Sequence, residues 1–154
     1  MTPRPLPKFA VLGIDPGKAG GLALLTEGAP LETWKMPDTE RDLLVLLEAL
    51  EPRTSFAVIE QVTPMKGWGA SSSWEFGQHY GTLRMALIAL YIPFRAVSPT
   101  TWQRQVFGKT SGGDKKMTWR AAQERYPDHK ITHAIADAIF IARYGYLLMG
   151  RTTW

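Results

Sequence analysis

The chain contains no cysteine among its 154 residues. That excludes disulfides and thiolate-ligated zinc, and a cytoplasmic setting is the expectation that follows. No run of about 18 uncharged apolar residues occurs, so no membrane span is expected. The opening stretch MTPRPLPKFAVLGID carries basic residues and prolines, but its apolar run is short and reads as a strand, so no signal peptide is expected either. Acidic residues are the scarcer sign: 14 Asp and Glu stand against 18 Lys and Arg, a net charge of +4. This balance favours a polyanionic partner, because Lys and Arg release counterions when they neutralise phosphates. No repeat, low-complexity tract or shift in composition divides the chain. It is read as a single domain over residues 1–154, long enough to bury a core.

Glycine and proline punctuate the rest. Lys8 to Asp15 is an apolar run stopped by Pro16-Gly17, a strand followed by a turn. Residues 20–26 and 31–36 read as two more strands around Glu27-Gly28, so the first three form an antiparallel meander. Thr39 offers a helix N-cap, with Asp42 three residues on and leucines at 43, 44, 46, 47 and 50, and the helix ends before Pro52. Residues 55–60 (SFAVIE) are a fourth strand, which a helical crossover makes parallel to the first. A Gly/Ser-rich loop over 62–72 follows, and Ser72 with Glu75 forms a capping box that opens a long helix over 73–91. Residues 93–97 are a fifth strand, and Ser98-Pro99 combines an N-cap with proline at the first helical position. After a glycine-rich loop at 108–113, helices over 115–126 and 132–149 lie on either side of Pro127. The order βββαβαβααα predicts an α/β fold with a five-stranded mixed sheet, three strands antiparallel and two parallel, flanked by helices. That is the order of elements in the RNase H-like fold.

Asp15 ends the first strand and Glu60 the fourth. If those strands are parallel neighbours, both carboxylates emerge at the carboxyl edge of the sheet, where open α/β sheets bind ligands. Adjacent carboxylates repel unless a cation sits between them, and a hard Mg²⁺ or Mn²⁺ suits oxygen donors. The last helix supplies a third acid. Thr132 is its N-cap, and His133 and Asp137, four apart, share one face. The residues around Asp137 are apolar, so an acid there is costly without a partner. Simpler readings exist for each. Asp15 could serve the Asp-Pro-Gly turn, Glu60 could be a surface residue, Asp137 could pair with Arg143 or Arg84, and His133 could merely follow a cap.

These residues fall in motifs. Gly13-Ile14-Asp15-Pro16-Gly17 resembles the opening motif of RuvC-type Holliday junction resolvases. Residues 59–83 (IEQVTPMKGWGASSSWEFGQHYGTL) are similar to the region after the second acid in phage-type members. Residues 101–116 resemble the stretch before a lysine-bearing helix, and 133–145 (HAIADAIFIARYG) the C-terminal acid motif. The resemblance implies an RNase H-like fold, a homodimer, and an endonuclease that resolves four-way DNA junctions by paired symmetric nicks. It implies two Mg²⁺ or Mn²⁺ ions per active site and, for a phage-encoded protein, work in the host cytoplasm. Asp15 takes the role of first ligand, Glu60 of second and Asp137 of last. The family carries another acid or a histidine three or four residues before the final acid. His133 stands at four and is either a ligand or a proton acceptor, while Ala134, at three, can contribute nothing.

In that reading Lys116 or Lys115 stabilises charge developing on the phosphate, since lysines at a helix start are electrostatically misplaced without an anion nearby. The simpler reading is a solvated helix start. Lys66 and Trp68, a cation and a flat ring between glycines, suit an unstacked junction base. Lys109 marks a second DNA-contacting loop. Trp74 is assigned to core or interface, and Gly77, Gly81 and Ala86 suit close helix packing between subunits. Three other readings open or act similarly. Actin-like ATPases and sugar kinases share the Gly-Ile-Asp-x-Gly turn but need a second domain. A catalytically silent junction binder would be hindered by three acids beside phosphate. A nuclease of RNA–DNA hybrids would need neither the aromatic loop nor a dimer.

Overall fold

The computed structural model describes residues 8–61, 63–64 and 66–152. Five strands, β1 (Ala10–Asp15), β2 (Gly21–Thr26), β3 (Glu32–Lys35), β4 (Phe56–Glu60) and β5 (Phe94–Val97), lie in the order β3-β2-β1-β4-β5. β1, β2 and β3 form the antiparallel meander, while β4 runs parallel to β1 and β5 parallel to β4. The helices are α1 (Glu40–Leu50), α2 (Ala70–Ala89), α3 (Pro99–Phe107), α4 (Met117–Arg125) and α5 (His133–Leu148). Pro52 is absorbed in a 3₁₀ turn, Glu51–Arg53, directly after α1.

Both faces of the sheet are covered, and the strands alternate between two cores. Leu12, Ile14, Leu22, Leu24, Ala57 and Ile59 pack with Leu43, Leu47 and Leu50 of α1 and with Leu83 and Leu87 of α2. Val11, Ala23, Leu25, Val58 and Val97 pack on the other face with Trp102, Ala122, Ile135, Ala138 and Ile139 from the last three helices. Being apolar on both sides is what seats β1 and β4 in the middle of the sheet.

Three of the predicted caps form as read. The Thr39 hydroxyl accepts from the Asp42 N–H at 3.1 Å, Ser98 from Thr101 at 3.2 Å, and Thr132 from Ile135 at 3.2 Å. A capping box at Ser72 and Glu75 does not. α2 begins at Ala70 with extended Gly69 as its N-cap and no side-chain cap. The Glu75 carboxylate instead accepts from Lys18 Nζ at 3.2 Å, reaching across to the turn after β1. Trp74 is 68% exposed and takes no part in the core. α4 also starts later than the sequence suggests, at Met117, because Asp114 accepts from the Lys116 N–H at 3.0 Å and holds residues 114–116 as a turn. Among the described residues no helix is long and apolar enough to cross a membrane.

Candidate active site

Strand parity decides which way the acids point. Val11 and Val58 belong to the core under α3–α5, whereas Leu12, Ile14, Ala57 and Ile59 belong to the opposite one. With a period of two, Asp15 on β1 and Glu60 on β4 therefore point toward α3–α5. The parallel register pairs Gly13 with Val58 and Ile14 with Ile59. Continued one step, it sets Asp15 beside Glu60 at the carboxyl ends of neighbouring strands.

Gly13 brings α5 to them. A Cβ at this position would land on the Ala138 carbonyl oxygen and 2.5 Å from the Ala142 amide nitrogen. Only a residue without a side chain lets the α5 backbone rest on β1, and Asp137 immediately precedes Ala138 in that contact. The turn that carries Asp15 outward depends on another glycine. Gly17 sits at φ 111°, a conformation that L side chains rarely adopt, with the Phe76 ring packed where its Cβ would be.

The three carboxylates lie within electrostatic reach of one another. Asp15, half-buried, is pushed up from 3.8 to about 8, first by burial and then by the charges of Glu60 and Asp137. Glu60 is raised to about 7 by burial, opposed by a hydrogen bond from Trp102 and reinforced by Asp137. Asp137 is raised by burial, opposed by a hydrogen bond from Thr118 and by the neighbouring His133. Those two hydrogen bonds are short. Trp102 Nε1 donates to Glu60 Oε2 at 2.6 Å, and Thr118 Oγ1 donates to Asp137 Oδ1 at 2.6 Å. No arginine takes Asp137 as its ion-pair partner among the described residues, so pairing with Arg143 or Arg84 is not what holds this acid. His133 is exposed at the first turn of α5, next to Asp137 on one side and with Trp119 on the other, ring centroids 6.0 Å apart.

The donor chemistry fits a hard divalent cation: three oxygen ligands that repel one another and are costly to ionise without a counter-charge. Yet among the described residues no three His, Asp or Glu side chains are arranged to hold a metal ion. What the fold does bring together is their charges, each acid acting on another across the site.

Openings flank the acids on two sides. Asp15 faces a cleft of about 660 Å³ walled by the Pro16–Gly20 turn, Trp68, Gly69, Ser72 and Phe76. Trp68 is 39% exposed and stands edge-on to Phe76 at 5.2 Å. Asp137 faces a groove of about 360 Å³ shared with His133, Thr118, Lys115, Ser111 and Gln103. Lys115 thus stands in the same groove as Asp137. Lys116 is exposed and lines neither opening, and the same holds for Lys66 and Lys109. Val62 and Met65, in the loop leading to Trp68, lie outside the described residues.

Trp102 and Thr118 were not singled out from sequence. A buried tryptophan needs an acceptor for its N–H, but nothing local names Glu60, 42 residues away, as that acceptor. Lys18, exposed in the turn beside Asp15, is a further cation at the first cleft. Its ion pair with Glu75 is between side chains 81% and 55% exposed, too solvated to withhold it from a phosphate.

Neither a protein-family model nor a curated protein sequence matches the chain. Solved structures that share its fold include two of RuvC. The structure of Thermus thermophilus RuvC is 20% identical with a TM-score of 0.62, the match covering 94% of this chain and 99% of that one. T. thermophilus RuvC in complex with Holliday junction substrate is 17% identical with a TM-score of 0.60, over 92% and 96%. The mixed five-stranded sheet with its flanking helices is the RuvC, RNase H-like fold.

Proposed function

We propose that this chain is a metal-dependent endonuclease of branched DNA, acting as a Holliday junction resolvase. The observation that carries the reading is the meeting of Asp15, Glu60 and Asp137, from β1, β4 and α5, at the carboxyl edge of the sheet. Burial and mutual repulsion make these acids costly to ionise, and a bound cation removes that cost. The fold shared with a protein solved on a Holliday junction substrate supports the choice of DNA as partner. So does the net charge of +4.

Two Mg²⁺ or Mn²⁺ ions would supply an activated water and charge neutralisation at the leaving oxygen. Asp15, Glu60 and Asp137 would hold them. His133, which lines the same groove as Asp137, would serve as a further ligand or as a proton acceptor. Lys115 lines the Asp137 groove and is better placed than Lys116 to meet charge developing on the phosphate. Lys116, Lys109 and Lys66 are left to the DNA backbone, and the Trp68 ring to an unstacked base beside the Asp15 cleft.

A symmetric junction calls for a symmetric enzyme, and α2 offers the surface for a homodimer. Trp74, Met85 and Ile88 are 68%, 60% and 53% exposed along one stripe. Gly77 and Gly81 lie between them, and a Cβ at either would meet nothing within 4 Å. Glycine inside a helix costs about 1 kcal/mol against alanine, so these two disfavour the isolated subunit. Close approach of a second α2 accounts for them.

The test is incubation with a synthetic four-way junction and Mg²⁺ or Mn²⁺. Paired symmetric nicks are expected, lost in Asp15→Asn while junction binding survives. Absence of cleavage on every branched DNA, or undiminished cleavage by the variant, would sink the proposal.

A further inference from the structure

The hydrogen bonds at the site divide the three acids unequally. Glu60 and Asp137 each have one oxygen fixed by a neutral donor at 2.6 Å, whereas no hydrogen bond acts on the Asp15 carboxyl among the described residues. Both donors are themselves buried. Trp102 is fully buried in the core beneath α5, and Thr118 is 6% exposed. Trp102 is set by the Ser98-capped start of α3, which follows β5 directly, and β5 pairs Val97 with Glu60. Thr118 sits in the first turn of α4, facing α5. The two are linked through the intervening loop, where the Ser111 N–H donates to Gln103 Oε1 at 2.9 Å.

We propose that Trp102 and Thr118 are positioning residues: they anchor Glu60 and Asp137, turning the second oxygen of each toward the site shared with Asp15. This rests on the metal-dependent reading above. An anchored carboxylate loses less conformational freedom on ligation, and a neutral donor holds one oxygen without competing for the charge the cation needs.

The experiment is titration of Mn²⁺ alone into the full chain by calorimetry, well below its unfolding temperature, with folding of every variant checked by circular dichroism. Trp102→Phe keeps a ring but loses the N–H. Thr118→Val keeps the shape but loses the hydroxyl, and Thr118→Ser restores it. Each loss is expected to raise the Mn²⁺ dissociation constant about ten-fold or more, and Thr118→Ser to return it to within about two-fold of wild type. A merely structural role would lower the melting temperature and leave the affinity unmoved. Unchanged affinity in either variant overturns the assignment for the residue concerned. A wild-type chain that binds no Mn²⁺ overturns the metal-dependent reading itself, and the anchoring proposal with it.

Discussion

Asp15 holds a carboxyl raised to about 8 in the metal-free fold, against 3.8 unperturbed. Between those values the folded chain keeps a proton that the unfolded chain has released. The stability Asp15 contributes is therefore complete below its unfolded pKa and is lost as pH rises through about 8. Glu60, raised to about 7, acts in the same direction over a narrower window. In a chelating buffer the melting temperature is expected to fall between about pH 5 and pH 9. Asp15→Asn should melt roughly 5 °C higher than wild type near pH 8 and no differently near pH 4, as thermal scans at the two pH values would reveal. A variant less stable at pH 8 would mean that the carboxylate is not under strain. Divalent metal should reverse the order, because it stabilises the ionised wild-type site and finds fewer ligands in the variant.

At the scale of elements, the β1–α5 contact governs the site. Gly13→Ala would drive a methyl into the Ala138 carbonyl and push α5, with Asp137, off the sheet. A loss of at least about 2 kcal/mol is expected from chemical denaturation, with junction cleavage lost even where the chain still folds. Gly81→Ala, where a Cβ meets nothing, should instead raise monomer stability by up to about 1 kcal/mol, which makes the pair a matched control. The strands, their order and three helix caps were legible in the sequence because each is a local pattern: apolar runs, glycine and proline punctuation, and a hydroxyl three residues before an amide. Asp15 and Glu60 were legible for the same reason, each standing at the end of a strand. Less legible were features set by distant partners. Glu75 looked like half of a capping box because the Lys18 that attracts it lies 57 residues away. Trp102 and Thr118 left no local trace because their acceptors sit on other elements. Lys115 and Lys116 could not be told apart until the Asp114 turn set one in the groove and the other outside it.

For the whole molecule, the α2 stripe and the surface charge make separable predictions. Met85→Glu should convert a dimer into a monomer in sedimentation velocity runs with an unchanged melting temperature, since Met85 is 60% exposed in the single subunit. A chain already monomeric at high concentration would remove the symmetric interface from the account. Single Lys-to-Ala changes at Lys66, Lys109 and Lys116 should each reduce the salt dependence of junction binding by about one counterion. The acids, meanwhile, lie between two openings, with Asp15 on the cleft and Asp137 on the groove. A blind pocket must be fed a terminus, but acids that reach the surface through two openings can meet a polymer anywhere along its length. Cutting then needs no free end, and a junction whose four arms are sealed by hairpins should be nicked as readily as one with open arms.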